Sequence, residues 1–275
     1  MWNIIQCAVK GRSHEKVNMP CQYKTYALFE NDVQTIALAD GAGSAKLSLF
    51  GAETVTRCIC EEMVQKFDDY FNNEDGLTVK QQMIEVIEKR LEQTAKQQEC
   101  DMIDLASTLL FVAIKDNKFI MAHIGDGIIG YLKQDELKIA THPMNGEFIN
   151  TTVFTTSMDV VRETRLIKGG VEEIKGFVLM SDGTESSLYN KKDDKFADVV
   201  KKIMKMSMKS EIKIVEKQLK QSFENVVSKG VVLMSPFEAI LDYSIFSFCF
   251  SVSYMCKYKT FHLILLQVIL GSYHH

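Results

Sequence analysis

The first hundred residues change from short apolar runs to a longer apolar repeat. Apolar runs bounded by polar turns predict β-strands over residues 1–10, 23–30 and 33–39. Beyond these runs, apolar side chains recur at steps of three and four positions, which is the spacing of one face of an α-helix. This repeat predicts two long helices, over residues 45–71 and 77–98.

The rest of the chain is rich in predicted strands before it becomes helical. These strands are predicted over residues 107–114, 119–124, 128–132, 151–155, 161–167 and 177–180. Residues 184–228 are mostly helical in pattern, and a last strand begins near Glu238. Runs of strands that are interrupted by a pair of helices favour an α+β fold in helix–sheet–sheet–helix layers over a doubly wound parallel sheet.

The end of the chain has an unusual composition. Two apolar runs, 246–256 and 261–270, flank a pair of lysines. Each run is shorter than the roughly 20 residues that a helix needs to cross a bilayer, and the lysines argue against one continuous span. We therefore expect one domain over residues 1–245 and an atypical apolar tail over 246–275. A hydrophobic hairpin, a degraded terminus, a shifted reading frame and a membrane anchor remain alternatives for this tail.

Composition argues against several classes of function. The formal net charge of -4 over 275 residues is mild, and it gives no reason to expect a nucleic-acid partner. The 7 cysteines are odd in number and contain no Cys-x-x-Cys pair, so neither a disulfide framework nor a zinc site is predicted. The N-terminus lacks the basic and apolar regions of a signal peptide. We expect a cytoplasmic protein with free thiols.

Two acidic turns carry the strongest chemical signal. Asp40 stands directly after a short apolar run, Asp182 stands after another such run with one residue between, and each is followed directly by a glycine. A carboxylate at the end of a buried strand is held at the rim of the sheet, while the glycine allows a sharp turn and exposes its carbonyl. Two such carboxylates that the fold brings together suit Mg²⁺ or Mn²⁺, which prefer oxygen ligands. A single Asp-Gly pair is usually only a turn, and the repeated context favours the metal site.

Further segments form an ordered set with these two turns. The set comprises Gly11-x-Ser13-His14, Pro20-Cys21-Gln22, Ala39-Asp40-Gly41-Ala42-Gly43-Ser44, Ser107-Thr108, Gly125-Asp126-Gly127 and Ser181-Asp182-Gly183. In this order and spacing, the segments resemble the metal-dependent protein serine/threonine phosphatases of the protein phosphatase 2C family, most closely the bacterial members with compact catalytic domains. The resemblance covers residues 1–245 and implies a catalytic domain with a four-layer αββα sandwich, in which two mainly antiparallel sheets are flanked by helices.

The resemblance also implies a metal centre and a reaction. Asp40 matches the aspartate that bridges two ions of Mn²⁺ or Mg²⁺, and Gly41 supplies a carbonyl ligand. Asp182 matches a ligand of the second ion, and Asp126 matches an aspartate associated with a weak third ion. Arg12 stands where the family often has an arginine that binds phosphate. With Asp40 and Asp182 as the catalytic carboxylates, a metal-activated water would hydrolyse phosphoserine or phosphothreonine in a phosphorylated protein substrate.

Two positions depart from the family pattern. After Pro-Cys-Gln the family usually has an aspartate that orders metal-bound water, whereas this chain has Tyr23. Near the end the family has Asp-Asp-x-Ser-Ile, whose first aspartate binds the second metal, whereas this chain has Leu241 at that position. Asp242 could take its place as a metal ligand only through a shift of one residue, which in a strand turns the side chain to the other face of the sheet.

Three functions therefore stay open. The first is an active phosphoprotein phosphatase, whose activity Tyr23 and Leu241 would impair. The second is a catalytically inactive pseudophosphatase that binds phosphoproteins or regulates them. The third is a metal-free α+β scaffold in which the Asp-Gly pairs are only turns. A metal titration separates the third function from the others, and a turnover assay separates the first from the second.

Overall fold

Two five-stranded sheets form the centre of the protein. The computed structural model describes residues 2–8, 23–143, 152–182, 188–190, 192–207, 212–229 and 265–271. The strands in these ranges are β1 Trp2–Ala8, β2 Tyr23–Glu30, β3 Val33–Asp40, β4 Leu109–Lys115, β5 Lys118–Ile124, β6 Ile128–Lys133, β7 Glu136–Thr141, β8 Arg165–Gly170, β9 Ile174–Met180, β10 Tyr189–Asn190, β11 Lys195–Phe196 and β12 Leu265–Gly271. The helices are α1 Ser48–Asn72, α2 Gly76–Gln98, the 3₁₀ turn Met102–Leu105, α3 Val160–Glu163, α4 Asp198–Ser207 and α5 Ile212–Lys229.

Both large sheets are antiparallel. The first, which we call the β3 sheet, has the strand order β2-β3-β4-β5-β8. The second, which we call the β9 sheet, has the order β1-β12-β9-β6-β7. The turn between β2 and β3 has positive φ at both Asn31 and Asp32, as the tight hairpin predicted at this pair requires.

The strand β3 is buried on both faces and joins two layers of the core. Ile36 and Leu38 lie in one hydrophobic cluster with Phe177 of the β9 sheet. Ala37 and Ala39 lie in a second cluster, which contains the apolar stripes of α1 and α2. Successive side chains of a strand point to opposite faces, and this alternation divides β3 between the two clusters.

Helices cover the outer faces of both sheets. On the β3 sheet, α1 and α2 pack through residues that include Ile59 and Leu91. On the β9 sheet, α4 and α5 pack through residues that include Ile203 and Val215. The layers are therefore helix, sheet, sheet and helix, and the predicted α+β sandwich of antiparallel sheets flanked by helices is confirmed.

The two long helices are confirmed, but residues 152–155 do not form the predicted strand. The backbone amide of Thr155 donates to the carbonyl of Ser107 at 2.8 Å, and the hydroxyl of Thr152 donates to Asp126 at 2.8 Å. These residues therefore bond to neighbouring loops of the candidate site instead of extending a sheet.

The short helix α3 and the strand β8 replace the strand predicted over residues 161–167. Both the amide and the hydroxyl of Thr164 donate to the carbonyl of Val160, at 2.8 and 2.6 Å, which closes the helical turn before β8 begins. The β-branched residues at this turn suggested a strand from the sequence alone. The strand predicted near Glu238 lies outside the described residues.

The strand β12 lies in the segment that the sequence predicted to be an apolar tail. It pairs with β1 along its whole length and with β9 between Leu266 and Leu270. An apolar run of this length, interrupted only by Gln267, is typical of a strand inside a sheet. The length rule for membrane-spanning helices does not test for such a strand. None of the helices among the described residues is both long and apolar enough to cross a membrane. The domain boundary at residue 245 stays a prediction.

Candidate metal centre

Asp40 is the last residue of β3 and lies at the rim of the β3 sheet. The residue before β4, Thr108, holds its backbone. The amide of Asp40 donates to the Thr108 hydroxyl at 2.9 Å, and the amide of Thr108 donates to the Asp40 carbonyl at 2.8 Å. The next residue, Gly41, forms an isolated bridge with Ser107. The end of β3 is thus fixed to the chain that enters β4.

Three carboxyl groups from distant turns interact at this rim. Asp40 hydrogen-bonds Asp182, which follows β9, and also feels the charge of Asp126, which lies between β5 and β6. Burial first, then Asp182 and then Asp126 raise the pKa of Asp40 well above its ordinary value, and the Tyr23 hydroxyl that bonds Asp40 acts in the opposite direction. Carboxylates this close repel each other unless a proton or a cation lies between them.

One carboxylate oxygen at the rim has no partner among the described residues. Oδ1 of Asp182 is buried and accepts no hydrogen bond within the described part of the chain. A buried carboxylate oxygen is costly unless a donor or a cation compensates it. With the carboxylate of Asp40 and the carbonyl of Gly41, it offers the oxygen ligands that Mg²⁺ and Mn²⁺ prefer. These residues therefore fit a divalent cation.

The described residues provide only part of a ligand set. Among residues 2–8, 23–143 and the later described ranges, no group of three or more His, Cys, Asp or Glu side chains is arranged to hold a metal ion. Carbonyl groups and water complete the coordination of Mg²⁺ in many proteins. Arg12, Leu241 and Asp242 lie outside the described residues, so their roles stay predictions.

Close packing of α1 against the Asp40 turn requires a glycine at position 41. A Cβ on Gly41 would lie 2.7 Å from both the Cβ and the Oγ of Ser48 and 2.9 Å from its carbonyl carbon. Ser48 is the first residue of α1, and its buried hydroxyl has no hydrogen-bond partner within the described ranges. A larger residue at position 41 would therefore displace the start of α1 from the turn.

The Asp126 turn has its own support. The hydroxyl of Thr152 donates to Oδ2 of Asp126 at 2.8 Å. Nε2 of His123 donates to the Gly125 carbonyl at 2.8 Å, because a carbonyl can only accept, and Nδ1 accepts from the Thr141 hydroxyl at 2.7 Å. Burial lowers the pKa of His123 to about 3, so the ring is neutral near pH 7. Both ring nitrogens are engaged in the protein, which makes His123 a structural support of the turn.

Tyr23 is the first residue of β2 and lies directly opposite Asp40. The residue is buried, and its hydroxyl hydrogen-bonds the Asp40 side chain. The family resemblance predicts an aspartate at this position, and the structure places Tyr23 in contact with the predicted bridging carboxylate. Sequence reasoning assigns no role to Thr108 or Thr152. The motif Ser107-Thr108 was a signal for the first of them, and nothing in the sequence marks the second.

Comparison with known proteins points to phosphatases. Serine/threonine-protein phosphatase 3 of Escherichia coli strain K12 is 28% identical over 202 residues, which cover 70% of this chain and 78% of the relative. The serine/threonine phosphatase Stp1 from Staphylococcus aureus aligns with a TM-score of 0.62 over 99% of this chain and 96% of its own, at 12% identity. The catalytic domain of the phosphatase PstP, in complex with 2 manganese ions, aligns with a TM-score of 0.58 over 99% of both chains, at 14% identity. At such identities the two structures show a shared fold.

The family assignment rests on the sequence. The sequence model of the family described as Protein phosphatase 2C matches residues 10–224, which is more than half of the chain. The matched range contains Asp40, Asp126 and Asp182, the three carboxyl groups that interact at the rim. The chain belongs to the protein phosphatase 2C family.

Proposed function

We propose that this protein is a metal-dependent protein serine/threonine phosphatase that hydrolyses phosphoserine and phosphothreonine. The observation that carries the proposal is the contact between Asp40 and Asp182, whose carboxyl groups come from separate turns and meet where the β3 sheet faces the β9 sheet. Family membership supports the reaction class, and the relative from Escherichia coli is named for the same activity.

The metal-binding residues would be Asp40 as the bridge between two ions, the carbonyl of Gly41 and the carboxylate of Asp182, with Asp126 near a weak third ion. When bound, divalent cations supply an activated water and neutralise charge on the phosphoryl oxygens. The partial burial of Asp40 at the rim strengthens its electrostatic interactions, because less bulk water screens them. The manganese in PstP supports Mn²⁺, with Mg²⁺ as the alternative. Arg12 is proposed to bind the phosphate of the substrate.

Turnover of p-nitrophenyl phosphate and of a phosphothreonine peptide, with Mn²⁺ or Mg²⁺, tests this function. Asp182→Asn keeps the size of the side chain and removes its charge, so we expect activity to fall by roughly a hundredfold or more and Mn²⁺ to bind more weakly. Asp32→Asn is the matched control, because Asp32 is exposed at the other end of β3 and has a positive φ that asparagine tolerates. If Asp182→Asn turned over as fast as the parent, Asp182 would be only a turn residue.

A catalytically inactive pseudophosphatase is the second candidate, and Tyr23 is the observation that favours it. Its phenol hydrogen-bonds Asp40 from the position where the family has a carboxylate that orders water. In the sequence, Leu241 replaces a ligand of the second metal, and Asp242 is the nearest carboxylate that is proposed to substitute for it. Such a protein would keep the fold and bind or regulate phosphoproteins without hydrolysing them.

The double variant Leu241→Asp with Tyr23→Asp separates the two candidates. If the parent is impaired at these positions, we expect kcat/KM on a phosphothreonine peptide with Mn²⁺ to rise about tenfold or more, which is roughly 1.4 kcal/mol of transition-state stabilisation. The single variant Tyr23→Asp shows how much of the gain in kcat/KM comes from position 23 and how much from position 241. High activity in the parent and no gain in the double variant would mean that Asp242 or another oxygen already binds the second ion.

The partner that follows from the proposed activity is a phosphorylated protein. The mild net charge of -4 gives no support for a nucleic-acid partner. The cytoplasmic location that we expect from the cysteines and the N-terminus stays a prediction, as does membrane contact through the apolar segment 246–275.

A further inference from the structure

The pairing between β3 and β4 is irregular at the end that carries Asp40. In the regular part of the ladder, Leu38 is opposite Leu110, and the same register places Asp40 opposite Thr108. In a regular hydrogen-bonded antiparallel pair, each amide donates to the carbonyl of the opposite residue. Here only the Thr108 amide does so, at 2.8 Å, whereas the Asp40 amide donates to the Thr108 hydroxyl at 2.9 Å.

The hydroxyl of Thr108 thus replaces a backbone acceptor at the residue that carries the predicted bridging carboxylate. Asp40 is partly buried, and an amide that is removed from water without an acceptor costs about 1–3 kcal/mol. The acceptor for the Asp40 amide is therefore one particular side chain, at the point where the regular pairing of β3 with β4 between Val33 and Leu38 has ended.

The methyl group of the same side chain contacts the second acidic turn. A Cβ built on Gly125 would lie 2.5 Å from Cγ2 of Thr108, so this methyl group lies directly against the Gly125 backbone. Gly125 has a φ of 108° and immediately precedes Asp126. Thr108 is itself buried. One threonine therefore touches the backbone of Asp40 and the backbone that leads to Asp126.

We propose that Thr108 is a positioning residue of the metal centre, which fixes Asp40 through its hydroxyl and the Asp126 turn through its methyl group. The inference rests on the proposed function, because it concerns the carboxylates that would bind the cations. Thr108 itself is neither a ligand nor a group that touches the substrate. Without the hydroxyl, the end of β3 and its carboxylate shift relative to Asp182, and small hard cations tolerate little change in the distances to their ligands.

Two variants test the hydroxyl group and the methyl group of Thr108 separately. Thr108→Val removes the hydroxyl and keeps the shape, whereas Thr108→Ser keeps the hydroxyl and removes the methyl group. The matched control is Thr56→Val, because the buried hydroxyl of Thr56 also bonds to the backbone, at 2.8 Å from the carbonyl of Ala52, but within α1. The two measurements are hydrogen exchange of the Asp40 amide without metal and Mn²⁺ affinity by calorimetry, both on the full chain.

In Thr108→Val we expect the Asp40 amide to exchange at least about tenfold faster and the Kd for Mn²⁺ to rise about tenfold, as for other groups that orient a metal ligand. In Thr108→Ser we expect the amide to stay protected and the Kd to rise by no more than about threefold, because the methyl group supports only the turn of Asp126, which is assigned to a weak third ion. Thr56→Val is expected to lower the melting temperature and to leave both measurements unchanged. If Thr108→Val does not fold, Thr108→Ala takes its place with the same expectations.

Two results would overturn the role of Thr108. The first is a folded Thr108→Val protein that binds Mn²⁺ as tightly as the parent, and the second is a Thr56→Val protein that loses as much affinity. The amide measurement keeps this inference separate from the proposed function. If the parent protein binds no Mn²⁺, the proposed function is contradicted. If the Asp40 amide exchanges at the same rate in Thr108→Val as in the parent, Thr108 does not fix the backbone of Asp40.

Discussion

Replacing Asp40 with alanine is expected to abolish measurable Mn²⁺ binding and, with it, phosphatase activity. A carboxylate that bridges two cations binds both of them, and its removal leaves their mutual repulsion uncompensated. Among the described residues that are proposed to hold the two principal ions, only the carbonyl of Gly41 and the carboxylate of Asp182 would remain. Titration calorimetry of metal-free protein with Mn²⁺ should show no measurable binding, which corresponds to an affinity reduced by at least about a hundredfold.

The control for a general loss of charge is Asp69→Ala, because Asp69 is exposed on α1 and pairs only with Lys66 among the recorded ion pairs of the described residues. An exposed pair of this kind is worth little, so this variant should bind Mn²⁺ as the parent does. Unchanged Mn²⁺ affinity in Asp40→Ala would remove the two-metal assignment, because no other described residue is predicted to bridge the ions.

Asp40→Asn tests whether a loss of binding comes from misfolding. A carboxyl whose pKa is raised by folding costs stability above its ordinary pKa, because the unfolded chain releases the proton first. In the metal-free parent this cost grows from about pH 4 upward until the raised pKa of Asp40 is passed. In Asp40→Asn the side-chain amide is neutral at every pH, which removes this cost. The metal-free variant should therefore melt no lower than the parent at neutral pH, and it should lose less stability as the pH rises. A variant that melts well below the parent would show that the Asp40 carboxylate does not carry this cost.

Repeating patterns made the outer layers of the fold predictable. The stripe that contains Ile59 and Met63 recurs at helical spacing because one face of α1 packs on the β3 sheet along its whole length. The location of Asp40 was equally predictable, because a polar residue that ends an apolar strand lies at the rim of its sheet. The sequence could not show that its carboxyl group meets that of Asp182, because this contact depends on how the two sheets face each other.

Contacts between residues far apart in sequence explain what the patterns missed. Thr152 and Thr155 are β-branched and suggested a strand, but their hydrogen bonds go to Asp126 and Ser107 in other loops. The role of Thr108 depends on which residue the register places opposite it. The apolar run of β12 fits a buried strand as well as a hydrophobic tail, and only its pairing with β1 and β9 separates the two.

Deleting residues 265–275 is expected to prevent stable folding. β12 bonds to β1 on one edge and to β9 on the other, so its loss removes the connection between these strands and leaves both with unpaired edges. Each buried backbone group left without a partner costs about 1–3 kcal/mol, and a whole domain is stable by only about 5–15 kcal/mol. Asp182 lies two residues beyond the end of β9, so the deletion should also remove the metal site. Circular dichroism and urea unfolding of the soluble fraction would measure the result.

Two variants show whether the pairing of β12, rather than the length of the chain, causes the loss. Deleting only residues 272–275 leaves the strand complete and should keep the urea midpoint of the parent. Val268→Pro keeps the full chain but removes an amide from the middle of β12, where Val268 lies opposite both Ile5 and Val178, and it should cost about 3 kcal/mol or more. If the protein without residues 265–275 unfolded cooperatively at the parent's midpoint, another part of the chain would have to fill the position between β1 and β9. The candidate would then be the strand predicted near Glu238, which leads into Leu241 and Asp242.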